Sequence, residues 1–200
     1  MKILNLYSGI GGNRELWEGH EITAVEYDEP IAEVYKKRYP DDTVIVGDAA
    51  QYLLDHYKEF DFIWASPPCQ THSRIIFSQY TRDSYKPTLP DMTLYSIISF
   101  LQLHGKNKKW CVENVIPYYK PLIDYAAKID RHLYWSNFEI HEISVQKKYI
   151  IKDVKISNSD IDLTGIKNKR QVIRNQVDNK VGKHILDCST INKTIKEYSD

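Results

Sequence analysis

The segment Ser66-Pro67-Pro68-Cys69-Gln70 has the composition of a turn that fixes a reactive thiol. Two prolines restrict the backbone directly before Cys69, and an apolar run predicts a buried strand over Phe60–Ala65. A lone cysteine is usually a small buried hydrophobe, but this one opens a polar segment that starts at Thr71. Carbon 5 of a pyrimidine becomes nucleophilic only after a thiolate adds to carbon 6, so a cysteine in this turn suits that chemistry.

A carboxylate follows a second predicted strand, in the tripeptide Glu113-Asn114-Val115 after Lys109–Val112. The carboxyl ends of parallel strands meet at one edge of a sheet, which places Glu113 on the same edge as Cys69. A carboxyl group there can hold the N3 and amino edge of cytosine while negative charge builds on the ring. The alternative, that Glu113 caps a following helix, stays open from these three residues alone.

A glycine-rich turn and two acids predict a nucleotide-like ligand near the start of the chain. Gly9, Gly11 and Gly12 follow an apolar strand, and Glu26 and Asp48 follow the next two predicted strands. A carboxylate can accept hydrogen bonds from both hydroxyls of a ribose. The turn contains no Lys or Arg, so this site suits a cationic sulfonium cofactor better than a pyrophosphate. The alternative is that the glycines only make a tight turn.

The elements that must position these residues alternate between strand and helix. Strands are predicted at Lys2–Leu6, Glu21–Val25, Thr43–Val46, Phe60–Ala65, Lys109–Val112 and Leu133–Phe138. Helices are predicted from Pro30, over Gln51–Tyr57 and Thr93–His104, and through Val177, Val181 and Ile185. This alternation predicts an α/β fold with a parallel sheet covered on both faces. The polar segment Thr71–Met92 between them has the length of a functional lid.

Taken together, these motifs resemble those of the C5-cytosine DNA methyltransferase family. In its compactness and general sequence character, the chain is similar to the small phage-encoded members of that family. The motifs run in family order: Leu6 to Gly12, Val25 to Asp28, Asp48, Pro68-Cys69-Gln70 and Glu113-Asn114-Val115. The resemblance implies a Rossmann-like sheet, an S-adenosylmethionine site, Cys69 as nucleophile and Glu113 as the cytosine-holding acid. It implies cofactor contacts from Tyr7, Ser8, Gly9, Gly11, Gly12, Glu26, Tyr27, Asp48, Ala49, Pro68 and Asn175.

Two later motifs follow the family pattern less closely. Arg131-His132-Leu133 is similar to the segment whose arginine binds the O2 atom of cytosine, and either Arg131 or His132 fits that role, with Arg131 preferred. Arg174-Asn175 is similar to the closing motif that completes the cofactor pocket, although the family's usual glycine is Arg174 here.

The target-recognition slot of the family corresponds to residues 139–170, between a core at 1–138 and a return segment at 171–200. So short a slot cannot build its own core, so it is expected to pack on the catalytic core, on a second subunit or on a partner chain. Lysines and arginines dominate residues 147–183, which suits a polyanion. The expected DNA contacts come from Gln70, Ser73, Arg74, Lys167, Lys169 and Arg170.

Composition limits the remaining classes of function. No stretch is long and apolar enough to span a membrane, and three cysteines without C-x-x-C spacing favour a reducing cytoplasm over a disulfide framework. The histidines show no metal-ligand spacing, so no metal is expected.

The sequence predicts methylation of cytosine in DNA. The same chemistry on RNA, or a non-catalytic DNA-binding relative that needs a partner, remain the alternatives.

Overall fold

A seven-stranded sheet forms the centre of the protein. The computed structural model describes residues 1–78, 86–143 and 161–191. Parts of three predicted segments therefore lie outside the described residues: 79–85 of the lid, 144–160 of the recognition slot and 192–200 of the return segment. The strands are β1 (Lys2–Leu6), β2 (Glu21–Glu26), β3 (Thr43–Val46), β4 (Phe62–Ala65), β5 (Lys109–Val115), β6 (Ala127–Ile129) and β7 (His132–Ser136).

The strand order is β3-β2-β1-β4-β5-β7-β6. The first five strands in this order are parallel, whereas β7 runs antiparallel to β5 and β6 antiparallel to β7. The chain order reverses between β1 and β4, which is the place where open α/β sheets form a crevice for ligands. This is the Rossmann-like α/β fold of S-adenosylmethionine-dependent methyltransferases, as predicted.

Helices cover both faces of the sheet. They are α1 (Glu29–Arg38), α2 (Ala49–His56), α3 (Thr93–His104), α4 (Lys169–Arg174) and α5 (Asn179–Thr190). Alternate residues of each strand point to opposite faces, so neighbours such as Ile3 and Leu4 enter different core clusters. A first cluster packs Leu4 against α2 and α3, and a second packs Ile3 against α5.

Most element boundaries agree with the sequence prediction. The bounds of β1, β3 and α3 agree residue for residue. The strand predicted to stop at Val112 continues to Val115, so Glu113 lies inside β5 rather than after it. Residues 116–126 contain no helix, which removes the alternative that Glu113 caps one. The short elements β6 and α4 were not predicted.

Candidate active site

The predicted site residues surround one cleft at the carboxyl ends of the parallel strands. Its volume is about 2070 Å³, more than the 300–1,000 Å³ typical of a pocket for one small ligand, so it has room for two reactants. Every residue predicted for catalysis, cofactor binding or DNA binding lines this cleft except Gly11. The structure thus brings together motifs that are more than one hundred residues apart in the chain.

The loop that carries Cys69 is fixed by hydrogen bonds from β5 and from the residues that follow Cys69. The buried side-chain amide of Asn114 donates from Nδ2 to the carbonyl of Pro67 at 2.9 Å. The backbone N–H groups of His72 and Ser73 donate to the carbonyl of Cys69 at 3.1 and 3.0 Å. The sequence analysis gave Asn114 no role, because a bond from a side chain to a distant carbonyl has no sequence signal.

The thiol of Cys69 is half-buried at the floor of the cleft. Burial raises its pKa, and the nearby carboxylate of Glu113 raises it further, whereas the positive charge of Arg131 lowers it. Because the ordinary value is already above neutral, the resting side chain is a protonated thiol. Any ligand that neutralises the charge of Glu113 will favour the thiolate.

Glu113 is buried, and its carboxylate lies beside the imidazole of His132. The distance from Glu113 Oε1 to His132 Nε2 is 3.4 Å. Arg131, preferred for the base-holding role, lines the cleft too, but its guanidinium donates to the carbonyl of Arg174. The O2-binding role of Arg131 therefore stays a prediction, and the group that contacts Glu113 is His132.

The glycine turn is held by the carboxylate of Glu26. Its Oε2 atom accepts from the N–H of Gly9 at 2.9 Å, and Oε1 accepts from the N–H of Asp28 at 3.0 Å. Tyr7 and Gly9 both adopt a positive φ, of 55° and 54°, so the backbone turns sharply at the mouth of the cleft. Each carboxylate oxygen keeps a lone pair for a further donor, as a ribose diol requires.

Two residues predicted for the cofactor also have structural roles within the chain. Gly11 does not line the cleft; an added Cβ would lie 2.5 Å from the ring of Tyr39 and 2.7 Å from that of Tyr35, so this glycine admits the two rings. Asp48 lines the cleft, and its Oδ1 atom caps α2 by accepting from the N–H groups of Ala50 and Gln51. Contact of Asp48 with the cofactor stays a prediction.

The cleft fits an S-adenosylmethionine-sized cofactor on two structural observations. The hydroxyl of Ser8 is buried with no hydrogen-bond partner in the described structure, which leaves a donor and acceptor for a ligand. A Cβ added at Gly9 would meet no atom within 4 Å, so the turn faces open space. Tyr27, predicted to pack on the adenine, lies at the rim with its side chain largely exposed.

Basic side chains occupy the rim of the cleft. They are Arg74, Lys86, Arg131, Lys167, Lys169, Arg170 and Arg174. Lys86, which lies in the polar lid, was not predicted. Arg174 belongs to the basic stretch 147–183 but was not among the expected DNA contacts. Residues 161–170 bring three of these side chains to the rim because Leu163 and Ile166 pack against Ile10 and Val34.

The sequence profile described as C-5 cytosine-specific DNA methylase matches residues 1–115, which include the glycine turn, Cys69 and Glu113. The chain belongs to this family. Its members depend on S-adenosylmethionine, and the glycine turn, Glu26 and Ser8 are the groups of this chain that would hold the cofactor.

Curated relatives resemble this protein over a shorter stretch. The tRNA (cytosine(38)-C(5))-methyltransferase of Spodoptera frugiperda is 35% identical over 80 residues, which cover 36% of this chain and 24% of the relative. The enzyme of the same name from Homo sapiens is 32% identical over 82 residues, covering 38% and 21%. The matched part of this methylase thus spans about a quarter or less of the length of these relatives.

Among solved structures, a Spodoptera frugiperda DNMT2 mutant superposes with a TM-score of 0.42 at 29% identity, covering 57% of this chain and 35% of the other. A putative DNA modification methyltransferase encoded within an Escherichia coli prophage gives a TM-score of 0.40 at 19% identity, covering 60% and 33%.

Within residues 1–78, 86–143 and 161–191, no three or more His, Cys, Asp or Glu side chains converge as metal ligands would. The described helices are too short or too polar to cross a membrane.

Proposed function

We propose that this methylase transfers a methyl group from S-adenosylmethionine to carbon 5 of cytosine in DNA, through a covalent adduct of Cys69. One observation carries the proposal: Cys69, Glu113 and the Glu26-held glycine turn line the same cleft. The cofactor supplies an electrophilic methyl group when bound. The protein supplies a nucleophilic thiol, a carboxyl group for the base edge and a rim of basic side chains for phosphates.

The thiol requires an extrahelical base. Cys69 lies within the cleft, and carbon 6 of a stacked cytosine is inaccessible to it, so the target nucleotide must leave the duplex. Burial and the charge of Glu113 both raise the pKa of the Cys69 thiol. Once the base edge neutralises Glu113, its charge no longer opposes ionisation of the thiol. Attack by Cys69 is thereby coupled to correct placement of the base.

The test is a pair of measurements on the full chain with S-adenosylmethionine. Bisulfite sequencing of a plasmid from expressing cells reports methylation and its sequence context together. DNA with 5-fluorocytosine at the mapped site should form an adduct that survives denaturation, because fluorine cannot leave as a proton does. Efficient methylation at a site that yields no such adduct refutes the covalent mechanism.

RNA is the second candidate substrate, and a specific observation favours it. The curated relatives at 32 to 35% identity are named as tRNA methyltransferases. The chemistry of the cleft is the same for both polymers, because the reacting ring is identical. Parallel assays with DNA and RNA of matched sequence separate the two, and methylation of RNA alone would replace DNA as the substrate.

A further inference from the structure

A buried imidazole–carboxylate pair lies at the catalytic edge of the sheet. Glu113 and His132 have side chains only 8% and 11% exposed, and both line the cleft. In the antiparallel register of β5 and β7, Glu113 pairs with Tyr134 and Val115 pairs with His132. Glu113 and His132 are therefore diagonal neighbours on one face of the sheet, where long side chains meet.

The neighbouring arginine is engaged elsewhere. Arg131 is exposed in the turn between β6 and β7, and its guanidinium donates to the carbonyl of Arg174 at the end of α4. That bond connects the turn to the return segment next to Asn175. The imidazole of His132, rather than the guanidinium of Arg131, is thus the group that lies against the carboxylate.

We propose that His132 is the positioning residue of Glu113, and that its imidazolium holds the carboxylate in the cleft and supplies the proton that Glu113 passes to the base. This inference rests on the proposed function, because it assigns a part in the same reaction. It makes the base-holding group depend on an imidazole, which can pass a proton to the carboxylate as a guanidinium cannot.

Protons and electrons balance in this step. The thiol of Cys69 releases its proton to water, and the thiolate forms a bond to carbon 6 while the electron pair of the C5–C6 double bond moves into the ring. One proton passes from Nε2 of His132 to Glu113, and one passes from Glu113 to N3 of the cytosine, so the carboxylate is regenerated and the imidazole becomes neutral. After carbon 5 has been methylated, its proton passes to water. The C6–S bond then breaks, Cys69 leaves as a thiolate, and the N3 proton returns to His132 by the same path.

The other titratable and charged groups around the pair are Cys69, Cys111, Asp130, Arg131, Tyr134, Arg174 and Asp178. Burial and the charge of Glu113 raise the pKa values of Cys111 and Tyr134 well above their ordinary values, so both stay neutral near neutral pH. The thiol of Cys69 has a raised pKa and ionises with increasing pH.

The kinetic test is the rate of adduct formation on 5-fluorocytosine DNA, or RNA if that is the substrate, in a single turnover. We compare the native protein with His132→Arg and His132→Gln between about pH 6 and pH 9. His132→Arg should be slower than the native protein by about tenfold or more, because a guanidinium keeps a positive charge beside Glu113 but cannot donate the proton. His132→Gln should be slower than the native protein by about tenfold or more at the low end.

A matched control tests whether any such pair has this effect. His141 lies 3.7 Å from Glu139 in an exposed pair that does not line the cleft. His141→Arg should retain the native pH profile. A native rate of adduct formation in His132→Arg overturns the inference.

A second measurement does not need a methylation substrate. Alkylation of Cys69 by iodoacetamide, followed by mass spectrometry against pH, reports the charge around the thiol. Glu113→Gln should move the curve to lower pH. His132→Gln should move it to higher pH, because the positive charge that offsets the carboxylate is lost, whereas His132→Arg should leave it in place. A curve that moves in Glu113→Gln but not in His132→Gln overturns the coupling. If no nucleic acid forms an adduct, the proposed function fails, while the alkylation curves still decide whether the pair is coupled.

Discussion

Replacement of Glu26 tests whether the glycine turn is a cofactor site. Both carboxylate oxygens already accept backbone N–H groups, from Gly9 at 2.9 Å and Asp28 at 3.0 Å, so the carboxylate is fixed before a ligand binds. A ribose diol would add hydrogen bonds to an ionised acceptor, which together contribute about 1.5 to 3 kcal/mol. Glu26→Ala should therefore weaken binding of S-adenosylmethionine about 10- to 150-fold.

The assay is isothermal titration calorimetry on the native protein and two variants, with the melting temperature measured in parallel. Glu29→Ala is the matched control, because Glu29 is an exposed acid in the first turn of α1 that does not line the cleft. It should bind as the native protein does. Glu26→Gln keeps an oxygen for the N–H of Gly9 but turns an NH2 group toward the N–H of Asp28, so it should lower the melting temperature less than Glu26→Ala while losing affinity. An affinity of Glu26→Ala within about twofold of native would show that turn and acid are structural only.

Three further outcomes follow from the same geometry. Cys69→Ser should abolish methylation and leave cofactor affinity within about twofold of native, because a hydroxyl lacks thiolate nucleophilicity; turnover at the native rate would contradict the covalent step. Asn114→Ala should slow adduct formation and reduce stability by about 1 to 3 kcal/mol in urea unfolding, since the carbonyl of Pro67 loses its partner; unchanged values would show that the loop is held otherwise. Alanine at Lys167, Lys169 and Arg170 together should reduce the slope of log affinity against log salt without changing the methylated motif, and a native slope would remove the basic rim as the phosphate contact.

The position of the residues proposed for catalysis and cofactor binding could be predicted because each lies near the end of an apolar strand of a parallel sheet. Cys69 comes shortly after β4, Glu113 lies near the end of β5 and Glu26 ends β2. In such a sheet the carboxyl ends of the strands meet, so strand prediction alone brings these side chains to one edge. The sequence signal for these positions is local, because a short apolar run and the residues at its carboxyl end are enough to predict them.

The elements that the sequence did not predict depend on distant contacts. The strand β6 has three residues and forms because its backbone pairs with β7 at the edge of the sheet. The helix α4 is basic and polar, has no side-chain bond at its N-terminus and buries none of its residues. Neither segment has enough apolar periodicity to indicate its structure, because its conformation is set by the surface on which it lies.

The choice between Arg131 and His132 shows where sequence information ends. Leu133 and Trp135 enter the first core cluster and Tyr134 the second, so strand alternation places His132 on the face of Tyr134. Alternation along β7 does not show which residue of β5 lies beside His132. The register of β5 and β7 pairs Val115 with His132, and a shift of one residue would move His132 to the other face. Contact with Glu113 is therefore a property of strand pairing, and the three-dimensional register selects the imidazole over the guanidinium.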